Sequence, residues 1–183
     1  MRSLIALQER LFAPIGAGDA ALAFAARFAF AAALALYFFN SGLTKLGGGV
    51  MGIFQPSLGA YAQIFPRAME AAGYDVSQLG LFHWAVVIAG TWAEFILPAL
   101  IIVGLLTRLA ALGMIGFIVV QSLTDLIGHN AWSDPKVLGA WFDRIPDGII
   151  LDQRMFWVLA LAILVFKGAG WLSLDRVFTK SDA

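Results

Sequence analysis

Cysteine is absent from this 183-residue sequence. Disulfide exchange, thiolate nucleophiles and cysteine-held zinc or iron-sulfur clusters are therefore excluded for the chain acting alone. Charge is scarce as well. Only 13% of residues are charged, and 12 basic groups balance 12 acidic ones, which leaves no electrostatic basis for a nucleic-acid partner. No nicotinamide, flavin or haem fingerprint is present, and no internal repeat divides the chain, so one domain over 1–183 suffices. What fills the sequence instead is apolar: 61% of residues are hydrophobic and the mean hydropathy is +0.84, beyond the needs of a soluble domain of this size.

The apolar residues are gathered into four long runs, at about 20–42, 82–106, 109–128 and 149–172, separated by connections rich in Gly, Pro, Asp and Asn. The expected fold is all-α: a polytopic membrane protein with a four-helix antiparallel transmembrane bundle. Ahead of it, Leu4, Leu7 and Leu11 share one helical face, which predicts an interfacial N-terminal helix ending before Pro14. The connection from Thr44 to Leu81 is too long for a plain loop and carries enough aromatic residues to lie on the membrane or fold back over the bundle. An even number of crossings puts both termini on one side. Arg2, Arg10, Arg27, Arg108, Lys167, Arg176 and Lys180 fall there, so the positive-inside tendency makes that side cytoplasmic.

Within this frame the polar residues sort by depth. Glu94 lies in the middle of the second run, where an acid is costly and faces protein, often with a partner. Asn40, Lys45, His83, Asp125 and His129 are expected near the outer face, and Arg27, Arg108 and Lys167 near the inner one. Gln121, Asp125 and His129 recur at i, i+4, i+8 and draw one polar stripe toward the bundle interior. Trp92, close to Glu94, is a candidate pocket residue. Each has a plainer reading beside the functional one. Arg27 and Glu94 neutralise one another or bind backbone carbonyls, and His83 and His129 are interfacial rings rather than metal or haem b ligands. Most tryptophans stand at segment ends, as a membrane belt requires.

Several blocks resemble one family. Arg27 followed by FFNSGLTKL (38–46), AEFILPALIIVGLLTRLAALGM (93–114), then His129, and finally KGAGWLSLDRVF (167–178), are similar to DoxX-family membrane proteins. The resemblance implies a four-helix inner-membrane protein associated with quinone-linked oxidation or with membrane complexes that handle oxidative and thiol stress. By position, the family's recurring polar residues correspond to Arg27, Lys45, Glu94, Arg108 and His129. Three functions follow as expectations. The first is the membrane subunit of a redox complex, at most a non-autonomous subunit of a quinone-linked oxidoreductase, with a quinone or small-anion site. In it Glu94 accepts protons, while Arg27, Asn40, Lys45, Trp92, Arg108, Gln121, Asp125 and His129 bind the ligand. The second is a small-solute or metal-ion permease, in which a homo-oligomer supplies further helices. The third is a non-catalytic anchor for a periplasmic partner.

Overall fold

A computed structural model of the protein describes residues 18–181, so the expected N-terminal interfacial helix lies outside the described residues. In chain order the helices are α1 (Asp19–Lys45), α2 (Leu58–Ile64), α3 (Pro66–Ala71), α4 (Leu81–Val103), α5 (Thr107–Leu123), α6 (Pro135–Leu138), α7 (Arg154–Lys167) and α8 (Leu174–Ser181). A π-helical turn, Thr124–Gly128, prolongs α5, and another, Ile149–Gln153, leads into α7. With these turns included, α1, α4, α5 and α7 are each long and apolar enough to cross a membrane. Helices suit that setting because every interior backbone group is bonded within its own segment. No β-strand occurs among the described residues; Leu46 and Pro56 form an isolated bridge. The chain is an all-α, multi-pass membrane protein.

The ends of the spans depart from the hydropathy boundaries for local reasons. The second span stops at Val103 because Gly104 takes a left-handed conformation (φ 70°), and Leu106 does the same (φ 49°), so the turn into α5 comes earlier than the hydropathy boundary, at 104–106. The fourth stops at Lys167, where Gly168 (φ 83°) turns the chain. The first runs on to Lys45, where Ser57 satisfies the helix C-terminus, its hydroxyl donating to the Thr44 carbonyl at 3.1 Å and its N–H to the Lys45 carbonyl at 2.9 Å. At the opposite end of the same helix Asp19 meets Lys167 at 2.8 Å, a pair that shows the start of α1 and the end of α7 to be neighbours.

Around the bundle the helices follow the order α1, α4, α5, α7, with α7 returning to α1. A core of Phe30, Leu34, Phe38, Ile101, Met114, Ile118, Leu161 and Leu164 fills the half nearer the termini. Phe117 and Trp157 set their rings edge-on to Phe38. At the other end a smaller cluster of Ala60, Tyr61, Met69 and Val87 packs α2 and α3 down on α4. The long connection therefore folds back over the bundle and forms a roof. Of the adjacent pairs, α4 and α5 are the least closely packed, although they are joined by the shortest turn. The cleft described next opens between them.

Candidate functional site in the cleft between α4 and α5

Two buried charges meet beneath the roof. Lys45 Nζ lies 3.0 Å from each carboxylate oxygen of Glu94, with side-chain exposures of 5% and 3%. Removing such ions from water costs several kcal/mol each, so the pair depends on good geometry and further hydrogen bonds. Ser41, one turn before Lys45 on α1, supplies them. Its hydroxyl donates to Glu94 Oε1 at 3.0 Å and accepts from Lys45 Nζ at 2.7 Å, while its carbonyl accepts from Nζ at 3.3 Å. Gly42 permits the approach, since a Cβ there would stand 2.7 Å from the Phe95 ring. On α4, Pro98 has no N–H to give the carbonyl of Glu94, which loosens the helix backbone at the acid.

Beside this pair lies a cavity of about 390 Å³. Small residues of α4 (Ala89, Gly90, Ala93) and α5 (Gly113, Gly116) keep the helices' facing surfaces thin, and Ile64, Leu97 and Phe117 line it further. Ala89, Gly113, Gly116 and Val120 are exposed, so the cavity opens sideways at the depth of the hydrocarbon. Lys45 and Glu94 form one polar pole. Gln121 on α5, Thr124 and Asp125 on the π turn that prolongs it, and Gln63 from the roof form the other. Asp125 is itself held: Arg154, at the start of α7 and almost fully buried, meets its Oδ2 at 2.8 Å and donates to Ser122 Oγ at 2.9 Å. Both members of this second pair adjoin π turns, where the wider helix re-aims side chains.

The expected site residues divide into groups. Glu94, Lys45, Gln121 and Asp125 come together around the cavity. The outer cluster of five does not form: Asn40 is exposed, and the Gln63 carbonyl accepts from His129 Nε2 at 2.9 Å. His83 packs against the Phe65 ring, its Nδ1 buried without a partner. The π turn shifts the register after Thr124, so the interior stripe holds for Gln121 and Asp125 while His129 is exposed. Trp92 faces away from the cavity and pins the Val50–Ile53 turn, donating to the Ile53 carbonyl at 2.8 Å. Among the described residues no three His, Asp or Glu side chains gather as a metal site would require.

Arg27 and Arg108 belong to the other end of the bundle. Arg27 is buried and donates to the carbonyls of Trp171 and Leu172 at 2.5 and 2.8 Å. Asp175 accepts from the N–H groups of Leu106 and Thr107 at 2.7 and 3.0 Å, capping α5. Arg108 donates to the Val165 carbonyl at 3.2 Å. The C-terminal Gly-x-Gly-x-x-Ser-Leu-Asp block is thereby a clasp across the α4–α5 turn. Of the two alternatives for the buried charges, Arg27 takes the backbone carbonyls, and Glu94 takes a different partner, Lys45.

Ser41 and Arg154 stand outside the sequence-based expectations. Their signals are present all the same: Ser41 is at i−4 from Lys45, on the same helix face, and Arg154 and Asp125 are opposite charges at the same ends of two spans.

A family model described as DoxX matches residues 22–125, from the first turns of α1 to Asp125 at the far pole of the cavity. No curated protein and no solved structure gives a significant match. Because the matched stretch covers more than half of the chain and holds both members of the buried pair, the protein belongs to the DoxX family.

Proposed function

We propose that the protein is the membrane subunit of a redox complex and that the cleft between α4 and α5 receives a quinone head from the bilayer. The observation that carries this reading is an apolar cavity of about 390 Å³ that opens at hydrocarbon depth with a Lys–Glu pair at its inner pole. Ligand pockets of this size, mostly apolar with a few convergent polar groups, suit a flat lipid-soluble ring. Every cation at the cavity is already paired, Lys45 with Glu94 and Arg154 with Asp125, so the site favours an uncharged ligand over a small anion. A quinone supplies coupled two-electron and two-proton exchange, its electrons delivered by a partner subunit.

The chain's own residues would handle position and protons. Small side chains on α4 and α5 admit the ring. Glu94 accepts a proton at Oε2 during turnover, and Lys45 and Ser41 keep that carboxylate aimed. Asp125, at the pole nearer the α2–α3 roof, connects the cavity to the side opposite the termini. The two poles and the packed core nearer the termini make a blind recess, which favours a binding site over a permease path. Membership of the DoxX family favours the bacterial inner membrane, and the positive-inside tendency favours cytoplasmic termini. Glu94→Gln is expected to abolish quinone-dependent turnover of the membrane complex with insertion intact. Retained turnover removes Glu94 from the mechanism, and solute flux into proteoliposomes without a redox partner favours the permease.

A further inference from the structure

The hydrogen-bonding capacity left over at the cavity is lopsided. At the inner pole Lys45 has three N–H groups, and these are directed to Ser41 Oγ, the Ser41 carbonyl and the Glu94 carboxylate. The Ser41 hydroxyl hydrogen goes to Glu94 Oε1. No donor at this pole is free. Glu94 Oε2, in contrast, accepts from Lys45 alone, and a carboxylate oxygen takes about two such bonds. A ligand group arriving here must therefore donate.

The outer pole has the same bias. Asp125 uses Oδ2 for Arg154, and its Oδ1 has no partner among the described residues. The Thr124 hydroxyl hydrogen is committed to the Val120 carbonyl at 3.0 Å, leaving its oxygen as an acceptor. Gln121 turns its amide nitrogen to the Tyr37 hydroxyl at 2.9 Å, and its buried Oε1 is unpartnered. Against these stand the amide hydrogens of Gln63, exposed at the rim, and the second N–H of Gln121. The two carboxylates carry the argument, since ionised acceptors form roughly twice as strong a hydrogen bond as neutral groups do.

From this imbalance we infer that the cleft selects an uncharged aromatic ligand bearing a hydroxyl group, a hydroquinone or phenol, over the quinone or ether of the same shape. This rests on the proposed ligand role of the cleft and names the chemical form it prefers. A ring with only carbonyl or ether oxygens would set lone pairs against the lone pairs of Glu94 Oε2 and leave that buried oxygen without its second donor. Sites built to bond a hydroxyl reject the analogue that lacks one far more strongly than they reject a change of size.

Equilibrium dialysis of the full chain in a mild detergent, against para-heptylphenol and its methyl ether, tests the preference free of redox chemistry. The phenol is expected to bind about tenfold or more tightly than the ether, with that ratio collapsing in Glu94→Gln. Gly116→Leu provides the control for micelle partition, because a Cβ at Gly116 meets nothing within 4 Å and the larger side chain enters the cavity itself. Phenol binding must be lost in that variant. Equal binding of phenol and ether overturns the hydroxyl preference and leaves the cleft reading standing. Failure of both to bind, or phenol binding that survives Gly116→Leu, overturns both.

Discussion

The two ends of the bundle bury charge in opposite ways. Near the termini, Arg27 is held by fixed backbone carbonyls of the clasp, and Gly104 lets the turn close directly over it: a Cβ at Gly104 would lie 2.0 Å from the guanidinium. At the other end Lys45 and Glu94 are held by each other and by one serine, beside a cavity. A guanidinium bonded to carbonyls of a rigid turn has no second arrangement available. A side-chain pair at the wall of an open cleft can exchange a partner for a ligand or a proton. Depth and burial alone do not separate these cases, since both arginine and glutamate are almost wholly buried. The identity of the partner and the presence of adjoining space do.

That contrast is open to attack at each end. The largest effect is expected from Lys45→Met, which strands the Glu94 charge; the loss of stability should be about 3–5 kcal/mol, read by thermal melting in detergent. Adding Glu94→Gln to it should restore most of the loss, because the double variant buries no unpaired ion. A double variant no more stable than Lys45→Met would show the pair to be uncoupled. Next comes Gly104→Ala at the terminal end. It combines a left-handed φ of 70° with a collision against Arg27 and Ser173, for a loss on the order of 2–4 kcal/mol. Its signature is a lower melting temperature with unchanged ligand affinity in the cleft, the reverse of Gly116→Leu.

Smaller effects sharpen the same division. Ser41→Ala removes one hydroxyl from between two ions and should cost about 1–2 kcal/mol while also weakening ligand binding, unlike any change in the clasp. The smallest lies in the roof connection. The Ser77 hydroxyl, the Ser77 N–H and the Gln78 amide hold the Asp75 carboxyl below its ordinary value of 3.8. A depressed folded-state value contributes stability that is present above the unfolded value and is lost as pH falls through the folded one. Melting temperature should therefore drop less steeply below about pH 4 in Asp75→Asn than in the parent, a difference that melting curves at stepped pH would register.

Much of the fold was legible in the sequence because hydropathy has the bilayer for a ruler. Four runs predict four spans, and a short link between the second and third predicts a hairpin. What escaped depends on single backbone positions. Gly104, Leu106 and Gly168 take positive φ and stop or start helices inside apolar stretches where the mean hydropathy does not change. The site was legible in part. Glu94 announces itself as an acid at mid-span, but its partner is 49 residues away at a helix end, where a lysine reads as a surface charge. Only the turn of α1 brings the Lys45 ammonium inward. The cavity has no linear signal beyond the small residues at 89, 90, 93, 113 and 116, which equally describe two helices packed tightly together. Trp92 shows the converse error: proximity to Glu94 along the helix places it on a different face, bonded to the Ile53 carbonyl.

The most direct test of the central claim, that the open end is a ligand site and the clasped end a structural one, is to measure the quinol and quinone together that co-purify with the protein. Extraction and chromatography would be run on parent, Gly104→Ala and Gly116→Leu proteins isolated in a mild detergent. The account predicts a stoichiometric total in the parent with the quinol as the bound form, the same ratio in whatever Gly104→Ala protein remains folded, and none in Gly116→Leu despite an unchanged melting temperature. Equal quinone in parent and Gly116→Leu, or quinone lost with Gly104→Ala alone, would contradict it.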